Sequence, residues 1–323
     1  MLTHKVLNVS VKAAQKSRVI VTHGILTYCS KYLSKQGWIE FMKAKLRGTE
    51  IFYDILGEQY SVKNHAFIKK PVLFMLHGGP GGCHIGYKIH SAPLQKVAQL
   101  VMIDHRGCGL SKKTKQSDYT LENNIEDIEA LRKHLGLEKI CLLGTSYGGM
   151  VAQGYAVRYP KCVEKLILVV TTPSFRFKEA AKKILAKRAT PQQIKWCEHL
   201  WKGDFKSPAH VKKFFAVMES LYSKNLKKTI FPKIKIPYAH EALNQGFSTF
   251  LRKFDFIKKL HRIKAKTLVI AGKYDWICPP SESRIIAKHI PNATLKIFNR
   301  SAHSVSTDEN KKYLKVIGNF LAR

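Results

Sequence analysis

The sequence is short of acidic residues: 22 Asp and Glu stand against 56 Lys and Arg, so the formal net charge is +34. An excess of this size favours an anionic partner such as nucleic acid or a membrane surface. The lysines are, however, scattered along every predicted element, and no RNP, helix-turn-helix or zinc-finger spacing occurs. We therefore attribute the charge to a general lysine bias and expect no specific nucleic-acid partner.

Long apolar runs are also missing. No apolar stretch reaches eighteen residues, which predicts a protein without a membrane span. The seven cysteines are odd in number and have no C-x-x-C spacing, which argues against a disulfide framework and favours a reducing cytoplasm. With 323 residues and 45% hydrophobic content, the chain is long enough for one large α/β domain, or for a core with an insertion.

The first 39 residues contain no Asp or Glu at all, but several lysines. Such an acid-free, basic composition is typical of a transit peptide, and Met42 is an alternative natural start. The pattern contains no long apolar segment followed by a small-residue cleavage site, so a secretory signal is not predicted. We treat residues 1–37 as a dispensable basic extension.

The most informative stretch is Gly144-Thr145-Ser146-Tyr147-Gly148, which follows the apolar run Ile140–Leu143 and precedes a helical pattern from Met150 to Tyr159. A G-x-S-x-G sequence between a buried strand and a helix predicts a serine nucleophile in a sharp turn. Backbone approaches backbone closely in such a turn, and glycines on both sides of the serine remove the Cβ atoms that would obstruct it.

Two loops that follow predicted strands precede this serine. The first, after Pro71–Leu76, reads HGGPGG from His77 to Gly82; it lacks the spacing of a phosphate-binding loop, so we interpret it as an oxyanion loop with Gly79 as donor. The second is Asp104–Ser111, after the strand Leu100–Ile103. We reject Asp104 as the triad acid because it precedes the serine, and expect it to form a loop-bracing ion pair with Arg106.

Beyond the serine, residues 176–240 show apolar residues at helical spacing, for example Ile194, Cys197 and Trp201, which predicts helices inserted between core strands. The apolar strand Ala265–Gly272 then returns to the core and leads to Asp275. A helix over 281–290 and a last strand over 294–298 follow, and His303 lies in the loop after that strand. Ser146, Asp275 and His303 thus occur in the order of a hydrolase triad.

Taken together, the motifs in His77–Gly82, Asp104–Ser111 (a D-x-R-G-x-G-x-S pattern) and Gly144–Gly149 make the sequence similar to the proline iminopeptidase branch of the α/β-hydrolases. The similarity runs from about Trp38 to the C-terminus and is weak between Thr172 and His261. It implies an α/β-hydrolase fold: a mostly parallel central sheet with helices on both faces and an inserted helical cap. The expected division is a core of residues 38–171 and 263–323 and a cap of residues 172–262.

The resemblance implies cleavage of an N-terminal residue, often proline, from short peptides without a cofactor or metal. In that mechanism Ser146 attacks, His303 takes its proton, Asp275 orients His303, and the N–H groups of Gly79 and Tyr147 bind the oxyanion. A carboxylesterase or another small-molecule hydrolase with the same triad is one alternative. A non-catalytic, hydrolase-like binding protein is another, which the intact triad order disfavours.

Two departures from the family bear on the substrate. Ala302 precedes the histidine where glycine is usual, and Trp276 follows the acid where some members carry an amine-binding glutamate. A buried ammonium needs a carboxylate partner. Because the family draws such a glutamate from this region of its cap, Glu241 is the candidate, with a helix-surface carboxylate as the alternative. We also expect thiol reagents to reach Cys83, Cys108 or Cys278, unless these cysteines are buried.

Overall fold

The computed structural model describes residues 18–22, 25–34, 37–225 and 236–322. The strands in these ranges are β1 Arg18–Thr22, β2 Ile25–Ser34, β3 Gly37–Leu46, β4 Thr49–Leu56, β5 Tyr60–Lys63, β6 Ala66–Lys69, β7 Val72–Leu76, β8 Gln99–Ile103, β9 Ile140–Thr145, β10 Val163–Val169, β11 Lys266–Gly272 and β12 Ala293–Phe298. The α-helices are α1 Ile85–His90, α2 Leu121–His134, α3 Tyr147–Arg158, α4 Phe177–Arg188, α5 Pro191–Lys202, α6 Pro208–Tyr222, α7 His240–Ser248, α8 Pro280–His289, α9 Val305–Asp308 and α10 Asn310–Leu321.

A ten-stranded sheet in the order β1-β2-β3-β4-β8-β7-β9-β10-β11-β12 forms the centre of the molecule. The strands from β8 to β12 in that order run parallel to one another, whereas β1 to β4 form an antiparallel edge that joins β8. Strands β7 and β9 are apolar runs whose residues are buried almost throughout, as parallel strands covered on both faces must be. The predicted mostly parallel sheet is confirmed.

Two apolar layers cover the faces of the sheet. On one face, α2, α3 and α8 contribute buried residues such as Ile128, Tyr155 and Ile286. On the other face, α1 and α10 contribute Tyr87 and Ile317. Each layer packs against the side chains that the same parallel strands direct to that face of the sheet. The predicted arrangement with helices on both faces is therefore confirmed.

The chain between β10 and β11 contains the helices α4 to α7. It leaves and re-enters the core at one point, because Phe175 N donates to Phe254 O at 2.9 Å and Phe256 N donates to Pro173 O at 2.9 Å. An isolated antiparallel bridge joins Ser174 to Asp255 between these two hydrogen bonds. These helices pack into the same apolar cluster as α3. Tyr222 of α6 also contacts His303, which follows the carboxyl end of β12.

Two stretches differ from the sequence-based expectations. Residues 57–70, where the sequence predicts no strand, contain the hairpin of β5 and β6, which forms a separate two-stranded sheet. Residues 1–37, expected to be a dispensable extension, include β1 and β2, which continue the main sheet beyond β3. Residues 1–17 lie outside the described part of the chain, so the transit-peptide interpretation has no structural counterpart here.

The expected ion pair between Asp104 and Arg106 does not form. Arg106 instead makes two hydrogen bonds to Asp127 on α2, at 2.7 and 3.0 Å, and both side chains are almost fully buried. Asp104 accepts hydrogen bonds from the backbone and ring of His84 at 2.7 and 2.9 Å, and from Leu110 N at 2.8 Å. Each acidic group therefore ties a loop at the carboxyl edge of the sheet to a different neighbour.

We expect Asp127→Ala to lower the free energy of unfolding by about 3–5 kcal/mol, because it leaves the Arg106 guanidinium buried without a counter-charge. Asp54→Ala is the matched control, since Asp54 pairs with Lys88, whose side chain is 48% exposed. An exposed pair of this kind contributes about 0–1 kcal/mol. Urea denaturation of both variants measures the difference, and equal losses would contradict the buried-pair explanation.

Candidate active site

The turn between β9 and α3 places Ser146 in a strained conformation, with φ 55° and ψ −119°. A non-glycine residue in such a region costs about 1–3 kcal/mol and persists only where the surroundings impose it. Hydrogen bonds hold both backbone groups of the serine: Ser146 N donates to Val169 O at 2.9 Å, and the Thr171 hydroxyl donates to Ser146 O at 2.7 Å. The strained turn directs the serine side chain away from the sheet.

The two glycines of the motif make this turn possible. A Cβ atom on Gly148 would lie 1.9 Å from Leu76 O, and one on Gly144 would lie 2.3 Å from Gly148 O. Real Cβ atoms do not approach backbone that closely, so both positions require glycine. The end of β7 and the start of α3 are therefore in direct backbone contact.

Asp275 and His303 follow the carboxyl ends of β11 and β12 and are joined by a hydrogen bond of 2.7 Å from His303 Nδ1 to Asp275 Oδ2. The other carboxylate oxygen of Asp275 accepts the N–H groups of Ile277 and Cys278, both at 3.0 Å. The carboxylate is fully buried, so its orientation is fixed by these three donors. With Nδ1 donating, Nε2 of the neutral ring is an acceptor.

The glycine-rich loop after β7 passes directly beside the serine. A Cβ atom on Gly78 would lie 3.1 Å from Ser146 Cβ, so this stretch of loop presents backbone rather than a side chain to the serine. Gly79 has φ +127° and is joined to Pro80 by a cis peptide bond. Tyr147 is the first residue of α3, where an N–H has no acceptor within its own helix.

His77 holds this loop in place through both ring nitrogens. Nδ1 lies 2.8 Å from Gly78 O, and Nε2 lies 3.0 Å from the backbone N of His105. Since the His105 N–H is a donor, Nε2 must be the unprotonated acceptor and Nδ1 must carry the proton. Burial lowers the pKa of His77, although the negative charge of Asp104 partly opposes this effect. The neutral ring thus connects two loops of the site.

A cavity of about 180 Å³ adjoins the loop. The loop residues 77–83 form one side of this cavity, and Val211, Phe215, Tyr238 and Leu243 from the inserted segment are among those that form the other. The rings of Phe215 and Tyr238 are stacked, with centroids 5.2 Å apart. No acidic residue of the described ranges lines the cavity, and residues 226–235 contain none either.

An aromatic side chain of α6 contacts the histidine of the site. The ring of Tyr222 meets His303 edge-on at 5.4 Å and Phe215 at 5.5 Å. Neither Tyr222 nor Phe215 was predicted from the sequence as a residue of the site. Their spacing of seven residues, two helical turns, is the signal that could have found them.

Glu241 does not lie at the cavity. Ala239 and Leu243 line it at i and i+4 around the start of α7, so a residue two positions after Ala239 points about 200° away around the helix. The Glu241 carboxylate lies 3.4 Å from Lys113 Nζ and 3.1 Å from His240 Nδ1, and is 33% exposed. Burial alone would raise the pKa of Glu241, but a backbone hydrogen bond and the nearby positive charges lower it overall.

Trp276, the residue that replaces a family glutamate, is fully buried and packs edge-on against Trp201 and Tyr222. The three cysteines expected to react with thiol reagents are also buried. Burial raises the pKa of the Cys83 thiol to about 12 and raises those of Cys108 and Cys278 as well. A thiolate is the reactive form of cysteine, so burial favours the alternative that these three thiols are inert in the folded state.

Within the described ranges, no group of three or more His, Cys, Asp or Glu side chains is arranged to hold a metal ion. What the site does present is a serine in a strained turn, a histidine oriented by a buried carboxylate, and backbone N–H groups beside the serine. These are the parts of an acyl-transfer site.

The comparisons with known proteins agree with this geometry. A family model described as the alpha/beta hydrolase fold matches residues 71–194. The chain is 34% identical over 293 residues to the proline iminopeptidase PfmaB of Pestalotiopsis fici, covering 88% of this chain and 100% of that protein. It is 32% identical over 293 residues to the proline iminopeptidase of Saccharolobus solfataricus, covering 86% and 90%.

Among solved structures, an alpha/beta fold family hydrolase from Bacillus anthracis superposes with a TM-score of 0.71 at 22% identity, covering 87% of this chain and 98% of that one. The proline iminopeptidase of Mycobacterium smegmatis superposes with a TM-score of 0.65 at 21% identity, covering 87% and 97%. The fold and these matches together show that the chain is a hydrolase of the α/β-hydrolase class. Within that class the chain belongs to the proline iminopeptidase family.

The buried histidines predict acid sensitivity. Burial lowers the pKa of His77 and His105 from the ordinary value of 6.5, so below that pH the unfolded chain binds protons that the folded chain excludes. Stability contributed by these rings is therefore complete above about pH 6.5 and is lost as the pH falls below it. We expect the free energy of unfolding, measured in urea across this range, to fall with decreasing pH.

The variant His105→Gln should flatten this pH dependence even if it lowers stability overall, because it removes one of the excluded protonation sites. The exposed His261 provides the control, and His261→Gln should keep the wild-type profile. A wild-type free energy of unfolding that stays constant from about pH 7.5 to about pH 5 would contradict the assignment.

Proposed function

We propose that the chain is a serine aminopeptidase that releases an apolar N-terminal residue, such as proline, from short peptides through an acyl-enzyme. The observation that carries this proposal is the strained Ser146 turn, packed against a loop that presents only backbone to it. Such strain is retained where the surrounding structure imposes it, typically at a functional site. Matching relatives over almost the whole chain are named proline iminopeptidases, which supports the choice of substrate.

In the proposed mechanism Ser146 Oγ attacks the carbonyl carbon of the scissile peptide bond, and His303 Nε2 accepts the serine proton. The resulting imidazolium is stabilised by the buried carboxylate of Asp275, which already accepts the Nδ1 proton at 2.7 Å. His303 then protonates the leaving amine. Water, deprotonated by the same ring, releases the N-terminal residue from Ser146.

Two backbone donors are proposed for the oxyanion of the tetrahedral intermediate, the N–H groups of Gly79 and Tyr147. Tyr147 follows the nucleophile at a helix N-terminus, where the helix dipole favours negative charge. The loop that carries Gly79 is positioned by the two hydrogen bonds of His77. Donors held in place before the reaction need no reorganisation when charge develops, which is the main source of such stabilisation.

We propose the cavity of about 180 Å³ as the pocket for the N-terminal side chain. Its walls are the glycine loop on one side and the aromatic pair Phe215 and Tyr238 on the other. Such walls suit an apolar, ring-shaped group and offer no charge to a charged side chain. Helices α6 and α7 would then act as part of the cap predicted for residues 172–262, since both contribute residues to the far wall.

The proposed substrates are small peptides, and the proposed compartment is the cytoplasm. Free thiols are present at Cys83, Cys108, Cys141, Cys162, Cys197 and Cys278, as in a protein that folds in a reducing environment. A carboxylesterase uses the same triad and oxyanion donors, so the acyl-transfer groups alone do not separate the two activities. The difference lies in the group that would bind the substrate amine.

Ser146→Ala should lower kcat on a prolyl amide by several orders of magnitude without changing the fold, because the other triad members cannot act without the nucleophile. Ser61→Ala, on the hairpin of β5 and β6, is the matched control and should keep full activity. Steady-state kinetics with circular dichroism checks both statements. Wild-type turnover by Ser146→Ala would refute the mechanism, and a preference for a short-chain ester over the prolyl amide would favour the esterase.

Glu241→Gln should change kcat/KM by less than about threefold, and equally for a free prolyl amide and a neutral ester, because its partner is Lys113 rather than the substrate. Lys113→Gln is the companion variant and should behave in the same way. A loss confined to the prolyl amide would instead place Glu241 at the substrate amine and restore the role expected from the sequence.

A further inference from the structure

The hairpin of β5 and β6 carries an exposed apolar face. Its two central residues, Val62 and Phe67, lie directly opposite each other and are 68% and 80% exposed. Residues that face each other across an antiparallel pair point to the same side, so both lie on one face. Tyr60 is on that face and is 49% exposed, and Ile68 on the opposite face is 46% exposed. Contiguous exposed apolar side chains of this kind mark interaction sites.

The hairpin lies at the amino ends of the parallel strands, whereas the catalytic residues lie at their carboxyl ends. It leaves β4 at Leu56, which pairs with Leu100 near the start of β8, and it ends just before the start of β7. Its base is tied to that edge, because Lys70 N donates to Gln59 O at 2.7 Å and Gln99 Nε2 donates to Gly57 O at 3.2 Å. Ser146, Asp275 and His303 follow the carboxyl ends of the parallel strands and so open on the other side.

The same edge is rich in exposed lysines. Each of the parallel strands β7 to β11 is preceded, within three residues, by an exposed lysine: Lys69, Lys96, Lys139, Lys161 and Lys264. The amino ends of parallel strands lie at one side of a sheet, so these lysines line the same side of the molecule as the base of the hairpin. The exposed acids Glu58, Glu138 and Glu164 offset only part of this positive charge.

We propose that this edge docks on an anionic phospholipid surface, with the apolar face of the hairpin inserted among the lipid chains and the lysines at the headgroups. Apolar side chains surrounded by cations are the composition of a peripheral membrane-binding element. A second copy of the chain is a poor occupant, because it would bring a like-charged edge and a second net charge of +34. Nucleic acid has the negative charge to pair with the lysines, but it would leave the apolar face of the hairpin without a partner.

Docking of this kind needs no spanning segment, and none of the helices in the described ranges is long and apolar enough to cross a membrane. The orientation of the bound chain follows from the fold. The amino ends of the parallel strands face the lipid, and their carboxyl ends, with the catalytic residues, face the water. Substrate access is therefore unobstructed in the bound state.

Co-sedimentation of the full chain with vesicles tests the proposal. We expect binding to vesicles of phosphatidylcholine with added phosphatidylserine, weaker binding to phosphatidylcholine alone, and a decrease with added salt. Val62→Ser combined with Phe67→Ser should weaken binding to the anionic vesicles about tenfold or more. The control is Ile194→Ser, since Ile194 on α5 is also an exposed apolar residue, at 42%, and should bind as wild type does.

A second pair of variants tests the charges. Lys139→Glu with Lys161→Glu should weaken binding to anionic vesicles, whereas Lys182→Glu with Lys183→Glu on α4 changes the net charge equally and should have a smaller effect. Hydrolytic activity in solution should be unchanged in every variant, which shows that each has folded.

Four outcomes would overturn the proposal. The first is no binding of the wild-type chain to anionic vesicles. The second is wild-type binding by the hairpin double variant, and the third is equal losses in the two charge-reversal variants. The fourth is a dimer of the wild-type chain in analytical ultracentrifugation that the hairpin double variant dissociates, which would identify the face as an interface between two copies.

Discussion

The close contact between two backbone segments is the constraint on which the site depends. The first turn of α3 packs so tightly on the end of β7 that a Cβ atom on Gly148 would overlap Leu76 O. This contact brings the turn at Ser146 and the loop after β7 together, because β7 and β9 are neighbours in the sheet. Strain at Ser146 is tolerated since the parallel strands on both sides hold the turn in position.

Buried polar groups then fix the loops around this contact. His77 bonds to its own loop and to the loop after β8, and Asp104 bonds to His84 and Leu110 from within that second loop. Leaving a buried polar group without its partner costs more free energy than the intact pair contributes to stability. Each loop therefore strongly favours the one position in which these hydrogen bonds form. The loop that carries Gly79, one of the backbone donors proposed for the oxyanion, is held by such buried hydrogen bonds.

Features encoded in short stretches were predictable from the sequence, whereas those set by packing were not. The turn at Ser146 and the strands on either side follow from a local pattern of glycines and apolar residues. The partner of Arg106 does not, because Asp127 is brought to it only when α2 packs on the sheet. The placement of Glu241 could not be predicted for a similar reason: the face that α7 turns to the cavity depends on the rotation of the helix. The hairpin of β5 and β6 was missed because its apolar residues stay in contact with solvent.

The paired strands at the base of the inserted segment have an evolutionary consequence. Because Ser174 and Asp255 are bridged and flanked by two backbone hydrogen bonds, the segment begins and ends at a single place on the core. Closing a loop at fixed ends costs free energy that grows only slowly with its length. The intervening helices can therefore be lengthened, shortened or exchanged while the serine, its histidine and their carboxylate keep their positions. Proteins with this arrangement can therefore evolve a different substrate preference while these three side chains stay unchanged.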